Sequence, residues 1–132
     1  MAALEWGEEH FAPFADCIDG IGIGNHEAAA LKRASYDAVE ELVRRLNKYR
    51  KPSLPPIAQM GYTSYVQYRL VQVPKGKPVG RYVIWYHHGT GKSSKTHGAL
   101  GRLIEQTGAF AADLYWSGHS HSRSSACEVM HP

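Results

Sequence analysis

Between Ala28 and about Lys48 the apolar positions fall at helical spacing. Leu31, Ala34, Ala38, Val39, Leu42, Val43, Leu46 and Tyr49 recur three and four residues apart, which is one face of an α-helix. Lys32, Arg33, Asp37, Glu40, Glu41, Arg44 and Arg45 fill the other face. Within it, Glu40 with Arg44 and Glu41 with Arg45 stand in the favourable acid-before-base order. Lys51-Pro52-Ser53-Leu54-Pro55-Pro56 stops this helix and makes a stiff loop. Upstream, residues 4–15 predict a shorter helix broken near Pro13. Ile18 to Ile23 predicts a short buried strand, interrupted by Gly20 and Gly22, that leads into a sharp turn at Gly24-Asn25.

The second half changes period. Tyr62 to Val73 is rich in aromatic and β-branched residues and mostly alternates, so it predicts a strand on an exposed edge. Pro74 to Gly80 predicts a turn, and Arg81 to Tyr86 a second strand ending at His87. A Gly/Ser/Lys loop over 89–97, a short helix over 99–106 and a last strand over 111–116 follow. Strands and helices alternate, so the fold class expected is α/β, a mixed sheet with flanking helices in a single domain over 1–132. Trp85, Tyr86, Tyr115 and Trp116 are expected in the core. Cys17 is expected as a buried thiol and Cys127 as a tail thiol.

Composition adds three constraints. The chain has 132 residues, 43% of them hydrophobic and 20% charged, which suits a folded domain with a small core. The net charge of +3 admits an anionic substrate without demanding nucleic acid. Two distant cysteines suggest no disulfide framework and fit a reducing compartment. The first residues lack the basic and apolar regions of a signal peptide, and no apolar run reaches the length of a membrane span. The expected location is the cytoplasm, with no membrane partner.

Histidine is the exception, at eight residues. Four of them stand beside glycines just after strands, in His87-His88-Gly89 and Gly118-His119-Ser120-His121. Sites in α/β sheets form at such carboxyl ends. Neutral imidazole is the commonest ligand for borderline divalent metals. Gly24-Asn25-His26-Glu27 sits between a strand and the long helix. There Asn25 either offers a carbonyl oxygen to a metal or caps the helix, and His26 can give a proton. Each run alone reads more simply as an ordinary polar loop or helix start.

Together, in this order and spacing, the three runs resemble the third, fourth and fifth motifs of the calcineurin-like metallophosphoesterases. That family reads Asp-x-His, Gly-Asp-x-x-Asp, Gly-Asn-His-Asp/Glu, a His after a strand, then Gly-His-x-His. Trp85 to Gly91 is also similar to phage and prophage members. The resemblance implies part of a calcineurin-like α/β sandwich and hydrolysis of a phosphomonoester or phosphodiester, with a nucleotide or nucleic acid admitted as substrate. It implies two divalent metal ions, Mn²⁺, Fe²⁺ or Zn²⁺, that activate water and stabilise the reacting oxygens. Asn25, His87 and His119 would hold one metal, with His88 the alternate to His87. His121 would hold the other. His26 would be the general acid, and Glu27 would steady the turn.

The first two family motifs are missing. Glu8-Glu9-His10 and Asp16 to Asp19 lie too close together to replace them, and Asp16 lacks the preceding Gly. Residues 1–23 therefore read as the helix and strand that follow the missing second motif, and the chain as the C-terminal part of a larger domain. Two readings compete with hydrolysis. One is a non-catalytic fragment binding at most one metal. The other is a nucleic-acid-binding protein. Gly20-Ile-Gly-Ile-Gly24 fails as a dinucleotide loop because its third glycine is misplaced. Gly91-Lys92-Ser93 fails as a phosphate-binding loop because position 86 is Tyr. Lys92, Lys95 and His97 are expected in a solvated loop.

Overall fold

The computed structural model describes residues 2–89, 104–105 and 107–118. These residues mix helix and sheet, with a mixed sheet and no closed barrel among them. They divide into two compact units, Met1–Tyr62 and Thr63–Pro132.

In the first unit, α1 (Ala2–Phe11) gives way to a 3-10 helix (Ala12–Cys17) with proline in its first turn, as the break near Pro13 predicts. A two-residue strand, β1 (Gly20–Ile21), follows. The single long helix expected next is two helices, α2 (Asn25–Ala34) and α3 (Ala38–Leu46). Ser35 takes a left-handed conformation, φ 51°, and closes α2. The Asp37 carboxylate then accepts the Val39 and Glu40 N–H groups at 3.0 and 2.9 Å, opening α3 with a side-chain cap. The two helices differ in burial. α2 buries nothing, whereas α3 buries Val39, Val43 and Leu46. These three pack with Ala15 and Ile57 into the core, bordered by Ala12, Ile18, Ile21, Ile23 and Leu42.

β1 pairs in parallel with β2 (Ala58–Gln59). The pairing is extended by Ala58 N–H to Asp19 O at 3.0 Å and Ile23 N–H to Gly61 O at 3.4 Å. The unit is thus a β-α-α-β crossover, and Gly24-Asn25 leaves from the carboxyl end of β1. Polar side chains tie its loops down. Asn47 bonds Ile57 in both directions, donating to its O at 3.1 Å and accepting from its N–H at 2.7 Å. Arg50 is buried; its guanidinium donates to the carbonyls of Ala15, Ile18 and Pro55 and meets Asp19 at 3.3 Å. On the outside, Arg45 bridges Glu41 and Glu8 at 2.7 and 2.9 Å. Arg44 pairs with Glu41, not with the Glu40 expected from spacing. Cys17, expected to be buried, is exposed.

The second unit is a three-stranded sheet in the order β3 (Thr63–Gln72), β4 (Lys77–His87), β5 (Leu114–Ser117). β3 and β4 are antiparallel and joined at Gly76, which has positive φ. The second strand therefore begins at Lys77, earlier than the expected Arg81. β4 and β5 are parallel. Residues 104–105 and 107–109, between them, are helical. The row Tyr65, Trp85, Tyr115 runs across the three strands on one face. Phe110 covers that row, stacked on Trp85 at 4.8 Å between ring centres. Trp85 is 2% exposed, whereas Trp116, expected in the core, is 62% exposed. The reason is strand parity: Trp116 pairs with Tyr86, and both point away from the Trp85 face.

No helix among the described residues is long and apolar enough to cross a membrane.

Candidate functional site

Asn25 is the first residue of α2, one position past the buried, extended Gly24 that takes the cap place. The Gly24 carbonyl accepts the Ala28 N–H at 3.0 Å, starting the helix with no side-chain cap. Asn25 is thereby released from capping, and its side chain is exposed. Its Oδ1 accepts the Tyr62 hydroxyl. Tyr62 lies just beyond β2, so this bond joins the carboxyl ends of the two parallel strands of the first unit. His26 and Glu27 are exposed in the first turn of α2. A negative Glu27 suits that helix end.

In the second unit His87 ends β4 and is level with Ser117 at the end of β5. The Gly118 N–H donates to His87 O at 3.1 Å. A Cβ added at Gly118 would meet His88 O at 3.1 Å, so the glycine allows the two strand ends to run close together. The runs starting at His87 and Gly118 thus leave from adjacent parallel strands, at the same end of the sheet. His119 and His121 lie outside the described residues. So do Cys127, Lys92, Lys95, His97 and most of the predicted 99–106 helix.

The His87 ring lies beside an aromatic side chain, Trp85, with ring centres 5.5 Å apart. Burial, and then the neighbouring charge of His88, hold its pKa below the ordinary imidazole range, so the ring is neutral near pH 7. Its Nδ1 accepts the Gly89 N–H at 2.7 Å. A neutral imidazole with Nδ1 accepting carries its proton on Nε2. A metal-bound histidine does the reverse, giving one lone pair to the metal and its N–H to a neighbour. In this arrangement His87 is not set to ligate; Nδ1 would first have to leave Gly89. Among the described residues no group of three or more His, Cys, Asp or Glu is gathered to hold a metal. The donor types suit a borderline divalent ion, but the His87 hydrogen bond does not.

Three partners of the site region escaped the sequence reading. Tyr62 was seen only as the start of a strand. Gly89 was seen only as a loop glycine, and its N–H sets the His87 tautomer. Asp113 fixes the β4–β5 offset by exchanging bonds with Val83: its N–H donates to Val83 O at 2.8 Å, and its carboxylate accepts the Val83 N–H at 2.7 Å. An Asp just before a strand was a readable signal for the last.

Compared with known proteins, the chain matches no family model, no curated protein and no solved structure.

Proposed function

We propose that this chain is a metal-dependent phosphohydrolase of the calcineurin-like kind, acting on phosphomonoesters or phosphodiesters. The supporting observation is the β4–β5 pair. Its parallel strands end side by side at His87-His88 and at Gly118, the two places from which the motif histidines depart. Asn25 and His26 are exposed at the start of a helix that follows a strand, which supports the reading. Within the second unit, a rotated His87, or His88 in its place, and His119 would contribute to one divalent ion, and His121 to a second. The ions would supply hydroxide near neutral pH. His26 would give its proton to the departing oxygen.

The test is hydrolysis of 4-nitrophenyl phosphate with added Mn²⁺, Zn²⁺ or Fe²⁺. Activity should fall by about 100-fold or more in His26→Ala, and with it in Asn25→Ala. No turnover with any of the three ions would refute the activity.

A second reading is a non-catalytic chain that binds at most one ion. The Gly89 bond to His87 favours it. Counting metal per chain after dialysis separates the readings. Two ions support the hydrolase, and one or none supports the second.

A further inference from the structure

We propose that β3 is a dimerisation edge, pairing antiparallel with β3 of a second copy of this chain about a two-fold axis at Gln67. The inference is independent of the hydrolase reading.

The orientation of the β3 backbone follows from β4. Val83 and His87 carbonyls accept from Asp113 and Gly118, on the β5 side. Backbone groups of alternate residues point to opposite sides of a strand. Tyr82, Ile84 and Tyr86 therefore bond toward β3. Their register partners Tyr68, Val66 and Ser64 bond back. Thr63, Tyr65, Gln67 and Arg69 are left with their N–H and C=O groups on the outer side. All four residues are exposed, Tyr65 by 53%, and no described strand lies against that edge.

Exposed edges are commonly blunted by proline, lysine or shortness. β3 is ten residues long and holds neither proline nor lysine. Its register shift comes only at Leu70/Val71. Its one charge is Arg69.

That charge selects a copy of the same strand as the partner. With the two-fold at Gln67, each Arg69 lies opposite Tyr65 of the second copy, where a guanidinium is attracted to the aromatic ring. Gln67 meets Gln67 of the second copy, amide to amide. On the other face Val66 meets Tyr68 of the second copy, a favourable β-branched and aromatic pair. A two-fold at Arg69 would oppose like charges. A two-fold at Tyr65 would leave Arg69 opposite Gly61, beyond the strand. A dimer of this kind is isologous and closed, and it makes a six-stranded sheet.

The experiment is sedimentation of the whole chain across a concentration series, reaching about 100 μM. The wild-type chain should pass from monomer to dimer. Gln67→Pro should be monomeric with unchanged circular dichroism, since the lost N–H faces outward and proline is tolerated on an edge. Gln67→Lys keeps the N–H and opposes two ammonium groups, so it should weaken the dimer by more than about tenfold at low salt and recover at high salt. With Cys17 and Cys127 changed to Ser, Gln67→Cys should form an intermolecular disulfide on mild oxidation, because opposed bonded residues lie within disulfide reach. Val66→Cys should form far less. A wild-type chain that stays monomeric overturns the proposal, as does a dimer that survives Gln67→Pro and Gln67→Lys, or cross-linking that favours position 66.

Discussion

The two units are held together in different ways. The first has a packed interior: Val39, Val43, Leu46, Ile57 and Ala15 are buried, and Leu46 is fully so. Around that interior, Arg50 and Asn47 satisfy loop carbonyls and amides that would otherwise be stranded. In the second unit Trp85 is the one buried hydrophobic side chain among the described residues. Backbone ladders and a stack of aromatic rings join the described residues there. The first unit should therefore be most sensitive to loss of a polar staple, and the second to loss of one ring.

The largest expected effect is that of Arg50→Met. It removes a buried donor from three carbonyls and should cost about 4 kcal/mol. In urea unfolding, the helical signal should be lost early while the near-ultraviolet signal of the Trp85–Phe110 stack persists. If both signals vanish together, the units unfold as one body and the contrast between them fails.

Trp85→Ala is the converse experiment. It deletes the ring that meets Phe110, His87 and Tyr115 and should cost about 3 kcal/mol. Hydrogen exchange should show β4 and β5 opening with α3 still protected. Equal loss of protection in α3 would count against separate supports.

Asp37→Ala should cost about 1 kcal/mol by uncapping α3, read as a small shift of the urea midpoint. Asp37→Asn should recover most of it. Should the alanine variant cost nothing, the Ser35 break alone separates α2 from α3.

The smallest effect is in acid. Hydrogen bonds from Arg45 and then Tyr49 hold Glu8 below its usual range; Arg45 and then Arg44 do so for Glu41, and the Lys51 side chain does so for Asp16. A carboxylate with a lowered folded-state pKa adds stability above its unfolded pKa and loses it as pH falls through the folded one. The helical signal should thus decline only below roughly pH 4, and Glu8→Gln should flatten the decline. A decline that begins near pH 6 would point to histidines instead.

Much of this was legible in the chain. The burial of α3 follows its three- and four-residue spacing, and the β3–β4 hairpin follows alternation and Gly76. The break between α2 and α3 was missed because the apolar period runs through it in phase; only Ser35 and the Asp37 cap mark it, and both act locally. Trp116 was misplaced because aromatic character was read without strand parity. Cys17 was misplaced because a thiol's burial depends on packing that spacing does not carry. For the site, the positions of Asn25 and His87 after strands were readable. The tautomer of His87 was not, since it depends on where one turn aims the Gly89 N–H.

Gly118 limits which residues can stand at its strand end. A side chain there would meet the His88 carbonyl at 3.1 Å, so the two chain segments could keep their spacing only if one of them gave way by a few tenths of an ångström, whatever residues follow. The glycine thus has a reason in strand packing that is separate from any role of the histidines after it.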